Sequence, residues 1–133
     1  MKYSVLIDSN VTLDFLLERP GFVENAEKIF KEIEKKRLIG CISSSAITDV
    51  YYIVEIKRDS DYAWEMMKYL YRTVKILPVI RKTVRTALHS NMKDFEDAVQ
   101  TAAAKNLGID IVVTRDKEGF HNSGLDIVLN SPK

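Results

Sequence analysis

The stretch Tyr3-Ser4-Val5-Leu6-Ile7-Asp8-Ser9-Asn10 decides how the fold of this chain is interpreted. Its first five residues form a short apolar run with β-branched side chains, which predicts a strand. Asp8-Ser9-Asn10 ends the run with polar residues that favour turns and helix caps, and a short helix is predicted over residues 11–17. The chain therefore begins with a strand and a helix, and Asp8 lies at the junction between them.

The alternation of strand and helix continues along the chain. Further strands are predicted at residues 38–42, 74–77, 109–114 and 126–129, and further helices at 22–36, 46–57, 81–90, 94–106 and after the cap Asp59-Ser60. This pattern predicts an α/β domain of three layers, in which helices cover both faces of a sheet of about five mostly parallel strands. No Pro- or Gly-rich linker interrupts the chain, so we expect residues 1–133 to form a single domain.

Composition narrows the class of protein. The hydrophobic fraction of 46% is enough for one core, and 29% of the residues are charged, which argues against a disordered chain. Lysine and arginine number 20 against 19 acidic residues, and this balance does not decide whether the protein binds nucleic acid. Cys41 is the only cysteine, so an intrachain disulfide and a cysteine-based zinc site are excluded and a cytoplasmic location is expected. No signal peptide is recognised, and no apolar run approaches the roughly 18 residues of a membrane span.

Acidic residues follow or precede the predicted strands at one edge of the sheet. Asp8 ends the first strand, Asp116 follows the fourth, Asp49 lies in the helix after the second, and Asp94 and Asp97 open the helix that leads into the fourth. In open parallel sheets, ligands bind beyond the carboxyl ends of the strands. Four segments that are distant in sequence are therefore expected to bring carboxylates to the same edge.

Clustered carboxylates raise each other's pKa, so such a cluster is stable only when protons or a cation neutralise it. Oxygen ligands without imidazole or thiolate favour Mg²⁺ or Mn²⁺. Each acid has a simpler explanation when taken alone. Asp8 or Asp94 can cap a helix, Asp49 or Asp97 can interact with a helix dipole, and Asp116 can be a turn residue. The hypothesis of a metal site therefore depends on these acidic residues occurring together at one edge of the sheet.

The order of the motifs is similar to that of a known family. The stretches are Val5-Leu6-Ile7-Asp8-Ser9-Asn10-Val11, Ile47-Thr48-Asp49-Val50-Tyr51-Tyr52, Asp94-Phe95-Glu96-Asp97-Ala98-Val99-Gln100, Ile111-Val112-Val113-Thr114-Arg115-Asp116 and the closing residues 125–132. Together they resemble the PIN-domain family of metal-dependent ribonucleases, and within it the VapC-like toxins of prokaryotic toxin–antitoxin pairs. The resemblance covers nearly the whole chain and implies a PIN-like domain.

The resemblance also implies a metal-dependent reaction, its partners and the residues of the site. It implies that one or two Mg²⁺ or Mn²⁺ ions are held by four carboxylates and that the protein hydrolyses phosphodiester bonds in single-stranded or loop RNA. It also implies an antitoxin protein and a homodimer as partners. The metal ligands and catalytic residues would be Asp8, Asp49, Asp97 and Asp116. Asn10 and Thr114 would orient ligands or water, and Arg115 would contact a phosphate or form a structural salt bridge.

Two positions depart from the family pattern. The family usually has Glu at the Asp49 position, and the shorter Asp49 side chain reaches less far and is expected to bind metal through water. Relatives often have the sequence Thr-Arg-Asn, which is followed by two further residues and then by Asp-Phe. Here Asp116 replaces the Asn and Gly119 replaces the Asp, so the fourth carboxylate is expected at Asp116, with Glu118 as a possible substitute.

Two other functions remain open from the sequence. Asp8-Ser9-Asn10-Val11-Thr12 superficially resembles the start of haloacid-dehalogenase-type phosphatases, but Asn10 cannot supply the second acid that those enzymes use. A non-catalytic PIN-like module that binds protein or RNA is the second alternative, because a fold does not guarantee activity. His89 and His121 are isolated in sequence and are not expected to bind metal.

Overall fold

A computed structural model of the chain describes residues 2–130. Residues Ser131 and Pro132, which belong to the closing stretch of the family resemblance, lie outside this range, as do the first and last residues of the expected domain. The described part forms five strands and six helices. Their order is β1 (Tyr3–Ile7), α1 (Ser9–Leu16), α2 (Val23–Glu34), β2 (Leu38–Ser43), α3 (Ser44–Lys57), α4 (Ser60–Thr73), β3 (Lys75–Leu77), α5 (Arg81–Leu88), α6 (Phe95–Asn106), β4 (Ile111–Thr114) and β5 (Asp126–Leu129).

The five strands form one sheet in the order β3-β2-β1-β4-β5, and every pairing is parallel. The chain builds outward from β1 in one direction through β2 and β3, and then in the other through β4 and β5. The reversal of strand order therefore falls between β1 and β4, where Leu6 pairs with Val112 and Ile7 with Val113. In this class of sheet, the crevice at such a reversal is the usual place for a ligand.

Alternate residues of β1 face opposite layers, as expected for a strand. Val5 and Ile7 belong to a core with residues of α1 to α4, and this core includes the fully buried Phe30. Leu6 faces the other layer, where it joins a second core that contains Phe120. The three-layer α/β prediction is thus confirmed: the central sheet is buried on both sides.

Several element boundaries differ from the prediction. α1 begins at Ser9, two residues before the predicted start, because Asp8 already has the extended backbone of an N-cap residue. β4 begins at Ile111 and not at 109, because Gly108, with φ of 74°, turns the chain after α6. The second half of the sheet is therefore shorter than expected. Within residues 2–130, no helix is long and apolar enough to cross a membrane.

Candidate functional site

Asp8 is fixed at the carboxyl end of β1. Its backbone N–H donates to the Val113 carbonyl (3.0 Å), which continues the pairing of β1 with β4 by one residue. Its side chain is only 4% exposed and makes no regular capping hydrogen bond, although the backbone N–H groups of Ser9 and Asn10 at the start of α1 lie close enough to lower its pKa. Instead, Asp8 Oδ2 accepts a hydrogen bond of 2.7 Å from Thr114 Oγ1. The carboxylate of Asp8 is therefore held between the start of α1 and the end of β4.

Asp97 enters the same region from the first turn of α6. Asp94 is the N-cap of this helix, and its Oδ1 accepts a hydrogen bond from the Asp97 N–H (2.9 Å). The capping explanation for Asp94 thus agrees with its geometry. Small buried residues at Ala98 and Ala102 allow α6 to pack closely against its neighbours, and this packing leaves the first turn at the carboxyl edge of the sheet.

Asp116 lies close to Asp97 because position 119 is a glycine. The Asp116 N–H donates to Thr114 Oγ1 (2.9 Å), and the Gly119 N–H donates to Asp116 Oδ1 (3.0 Å). A Cβ atom placed on Gly119 would lie 2.5 Å from Asp116 Oδ2 and 3.0 Å from Asp97 Oδ2. Both carboxylates therefore reach the space that a side chain at position 119 would fill.

These carboxylates share one small cavity, named here the acidic cavity, with a volume of about 230 Å³. It lies at the reversal of strand order between β1 and β4. Its lining consists of Asp8, Ser9, Asn10, Asp94, Glu96, Asp97 and Asp116. Three of the four predicted ligands thus come together from the end of β1, the start of α6 and the loop after β4. Within residues 2–130, no three acidic, histidine or cysteine side chains already surround a single point as metal ligands do.

Asp49 is placed differently from the other three. It is exposed on α3 and does not line the acidic cavity. Its carboxylate lies beside Glu96, which does line the cavity and which accepts hydrogen bonds from Ser9 Oγ (3.5 Å) and Gln100 Nε2 (3.4 Å). Glu96 is not among the site residues predicted from the sequence. Its position beside Asp97 in the first turn of α6 is the only signal in the sequence that points to it.

The electrostatics of the cavity follow from the burial of its carboxylates and, to a smaller degree, from crowding of like charges. Burial, together with the negative charges of Asp8, Asp94, Asp116 and Glu96, raises the pKa of Asp97 to about 7. Burial also raises the pKa of Asp8, and the hydrogen bond from Thr114 Oγ1 opposes that shift. The cluster therefore resists full ionisation when no cation is present.

Glu96 is affected in the same way from the other side. Partial burial raises its pKa, and the adjacent carboxylate of Asp49 raises it further. Glu96 therefore holds a proton more readily than an isolated carboxylate does. Asp49 thus influences the acidic cavity through Glu96, without lining it.

Of the three residues expected to support the site, only Thr114 donates a side-chain hydrogen bond to one of the acids. Asn10 lines the cavity, but its Oδ1 accepts a hydrogen bond from Arg19 Nη1 (3.3 Å). Arg115 forms the structural salt bridge that was one of its two alternatives: Nε lies 2.9 Å from Asp14 Oδ2. Its guanidinium also stacks over the ring of Phe22, with 4.1 Å between Cζ and the ring centroid. Arg115 is therefore occupied in holding α1 and the loop after β4 together.

Fold and site together define a class of protein: a three-layer α/β domain with a carboxylate-lined cavity where the order of its parallel strands reverses. The model of the PIN domain family matches residues 4–118, and the chain belongs to this family. Membership of this family excludes the phosphatase alternative, because the similarity to phosphatases is confined to residues 8–12, whereas the family model matches residues 4–118.

Two relatives found by sequence and one solved structure support the assignment to the PIN domain family. The chain is 26% identical to "Ribonuclease VapC1" of Aquifex aeolicus over 129 residues, which is 93% of this chain and 88% of the relative. A second protein of that organism, "VapC ribonuclease", is 28% identical over 116 residues, with 82% of this chain and 84% of the relative covered. Among solved structures, VapC20 of Mycobacterium tuberculosis, described as a toxin that cleaves the sarcin–ricin loop, superposes with a TM-score of 0.71 at 14% identity. That similarity covers 91% of this chain and 95% of the other.

Proposed function

We propose that this protein is a Mg²⁺- or Mn²⁺-dependent endoribonuclease that hydrolyses phosphodiester bonds in single-stranded or loop RNA. The observation that carries the proposal is the acidic cavity, in which Asp8, Asp97 and Asp116 meet at the reversal of strand order. The names of the two relatives as ribonucleases support the same activity.

The chemistry of the acidic cavity suits a hard divalent cation. Its charged groups are all carboxylates, and neither an imidazole nor a thiolate lines it. Oxygen ligands of this kind favour Mg²⁺ or Mn²⁺ over softer metals. Burial, with a smaller contribution from neighbouring carboxylates, raises the pKa values of Asp8 and Asp97, and a bound cation would favour the ionised forms of both groups.

The residues of the acidic cavity would have different roles in binding the metal ion. Asp8, Asp97 and Asp116 would hold the ion, and Thr114 orients Asp8 by its hydrogen bond. When bound, such an ion supplies an activated water and neutralises charge that develops on the phosphate. Asp49 would act through Glu96, beside which its carboxylate lies, and its binding to the ion through water stays a prediction.

The partners follow from the family. The relatives' names place this chain with VapC proteins, so we assign it to the toxin half of a toxin–antitoxin pair, with an antitoxin protein as its partner. Exposed apolar side chains on α3 and α4, among them Tyr52, Ile56, Trp64 and Tyr71, offer a surface for that protein or for a second copy of the chain. Cys41 is a free and buried thiol, which suits the reducing cytoplasm that we assign to the protein.

A cleavage assay tests the activity directly. Purified protein should cleave a fluorescently labelled, unpaired RNA when Mn²⁺ or Mg²⁺ is added, and the cleavage should stop in excess EDTA. Cleavage that continues in EDTA would contradict the metal-dependent chemistry. Metal-dependent RNA binding without cleavage would instead support the alternative of a non-catalytic PIN-like module.

A paired substitution tests the role of Gly119. Gly119→Asp alone should weaken Mn²⁺ binding by about tenfold or more, because the new side chain starts 2.5 Å from Asp116 Oδ2 and adds a like charge. Combining it with Asp116→Asn restores the usual family pattern and should recover most of the affinity. The measurement is Mn²⁺ titration by calorimetry, and Gly119→Ala separates the steric effect from the charge. If Gly119→Asp binds Mn²⁺ as tightly as the wild type does, Asp116 does not occupy the place of the missing side chain.

A further inference from the structure

A groove leads away from the acidic cavity. A second cavity of about 380 Å³ shares Asp94, Asp97 and Asp116 with it. That second cavity also shares Met92 and Asn122 with a third, which has a volume of about 530 Å³ and lies between α5 and α6. The third cavity is named here the α5–α6 cavity. Because they share lining residues, the three cavities lie next to one another in a row across the surface.

The charge of the lining reverses along this groove. No acidic residue lines the α5–α6 cavity, whereas its wall includes Arg85 and Lys105. Neither of these cations forms an ion pair within residues 2–130. A Cβ atom on Gly124 would lie 2.6 Å from Lys105 Nζ, so the amine of Lys105 packs over the loop before β5. Two unpaired cations therefore flank a pocket at the end opposite the carboxylates.

The remaining lining suits a nucleotide. His89 presents an imidazole ring, which is fixed by a contact of 2.9 Å between Nδ1 and the Arg85 carbonyl oxygen. Met92 and Asn122 add an apolar contact and an amide. Unpaired bases are recognised by stacking on aromatic or planar side chains and by hydrogen bonds to their edges. A volume of about 530 Å³ lies within the usual range for a small-molecule site.

Thr101 gives independent support for a ligand. It lies on α6, lines the α5–α6 cavity and is only 5% exposed. Its Oγ1 is buried and has no hydrogen-bond partner within the described range 2–130. Buried hydroxyls are normally hydrogen-bonded, and an unpaired one costs free energy. A bound group would satisfy this hydroxyl if the cavity wall moves aside on binding, because the oxygen is closed to water-sized groups in the free protein.

We propose that the α5–α6 cavity binds an unpaired nucleotide of the RNA strand that flanks the scissile bond, with Arg85 and Lys105 contacting its phosphates. The inference rests on the proposed function for the identity of the polymer. The groove lets a single RNA strand contact the α5–α6 cavity and the acidic cavity at the same time. The phosphate backbone of the strand would pass the cations of the α5–α6 cavity and then enter the acidic cavity, where the bond is cleaved. It also gives His89 and Thr101 a role that the metal site does not.

The test measures RNA binding apart from cleavage. Fluorescence anisotropy of a labelled, mixed-sequence, single-stranded RNA of about 12 nucleotides is recorded with the full-length protein in EDTA. The variant Arg85→Gln/Lys105→Gln should bind about tenfold more weakly than the wild type. Its plot of log K against log salt should lose a slope of about 0.7 for each phosphate contact removed.

A matched control removes the same charges nearby. Arg81→Gln/Lys82→Gln lies on the same helix, and both residues are exposed and outside the lining of the α5–α6 cavity. This control should bind RNA within about twofold of the wild type. Equal losses in the two variants, or no RNA binding by the wild type, would overturn the proposal. Displacement of the RNA by poly-glutamate at equal charge would also overturn it, because that result indicates a general anion site.

Thr101→Val adds a readout that a purely structural role would not give. Removal of the unpaired hydroxyl should raise the melting temperature of the free protein by about 3 °C and weaken RNA binding about threefold. Unchanged RNA binding in this variant would remove Thr101 from the site. These outcomes are independent of the metal chemistry: the proposed nuclease activity fails if the wild type does not cleave, whereas the cavity proposal fails on binding alone.

Discussion

Asp8→Asn is expected to reduce Mn²⁺-dependent RNA cleavage by about a thousandfold or more. The substitution removes the most deeply buried carboxylate of the acidic cavity, and metal ions typically contribute several kcal/mol to transition-state stabilisation. Asn keeps the size of the side chain and still accepts the hydrogen bond from Thr114 Oγ1. The variant should therefore fold, and its rate of cleavage is measured against the same labelled RNA.

The control for this variant is Asp126→Asn. Asp126 is exposed at the first residue of β5, at the edge of the sheet opposite the acidic cavity. The variant Asp126→Asn loses the same charge as Asp8→Asn and should keep full activity. Without metal, Asp8→Asn should melt at a higher temperature than the wild type, because the cost of burying the Asp8 charge disappears. Retention of more than a tenth of the wild-type rate by Asp8→Asn would remove Asp8 from the catalytic site.

Asp14→Ala is expected to cause the largest loss of stability, about 3 kcal/mol in the free energy of unfolding. The Asp14 side chain is 1% exposed and bonds to both Arg19 and Arg115. Its loss leaves two partly buried guanidinium groups without a counter-charge. It also frees Arg115, which directly precedes Asp116, so Mn²⁺ affinity should fall at temperatures where the variant is still folded.

A surface pair provides the comparison for this prediction. Glu65 pairs with Lys68 on α4, and both side chains are more than half exposed. Glu65→Ala should change the free energy of unfolding by less than about 0.5 kcal/mol, as is usual for exposed ion pairs. Urea denaturation of the two variants gives the measurement. A similar, small effect for both would show that the Asp14 network is no more than a surface ion pair.

Much of the fold was predictable because local signals agree with it. The apolar run before Asp8 gave β1, and the caps Ser43, Asp59 and Asp94 mark the starts of α3, α4 and α6. The three-layer arrangement followed from the alternation of strands and helices. Boundaries at Ser9 and Ile111 were missed because they depend on pairing between β1 and β4 and on the turn at Gly108.

The details of the site depend on contacts that no local pattern encodes. Thr114 and Asp8 are 106 residues apart, and Arg115 and Asp14 are 101 apart. The sequence therefore left two roles open for Arg115, and it gave Asp14 none. The rule for strand ends brought Asp8 and Asp116 together correctly, but it did not show that Asp49 lies outside the acidic cavity.

The raised pKa of Asp97 sets the pH range in which a metal ion should matter. In the unfolded chain this carboxyl titrates near 3.9, whereas in the folded protein its pKa is raised to about 7. The folded state therefore binds more protons than the unfolded state between these values. Its contribution to stability is present below about pH 4 and is lost as the pH rises through 7. A bound cation should replace the proton, so metal should stabilise the protein more at pH 8 than at pH 5.

The melting temperature with and without Mn²⁺ tests the metal site most directly. At pH 8, about 1 mM Mn²⁺ should stabilise the wild type by about 2.7 kcal/mol if this concentration is 100 times the dissociation constant. The shift should be much smaller at pH 5 and almost absent in Asp8→Asn, while Asp126→Asn should behave as the wild type does. A wild-type protein whose melting temperature does not change with Mn²⁺ at pH 8, or an equal shift in Asp8→Asn, would contradict a metal site built on Asp8.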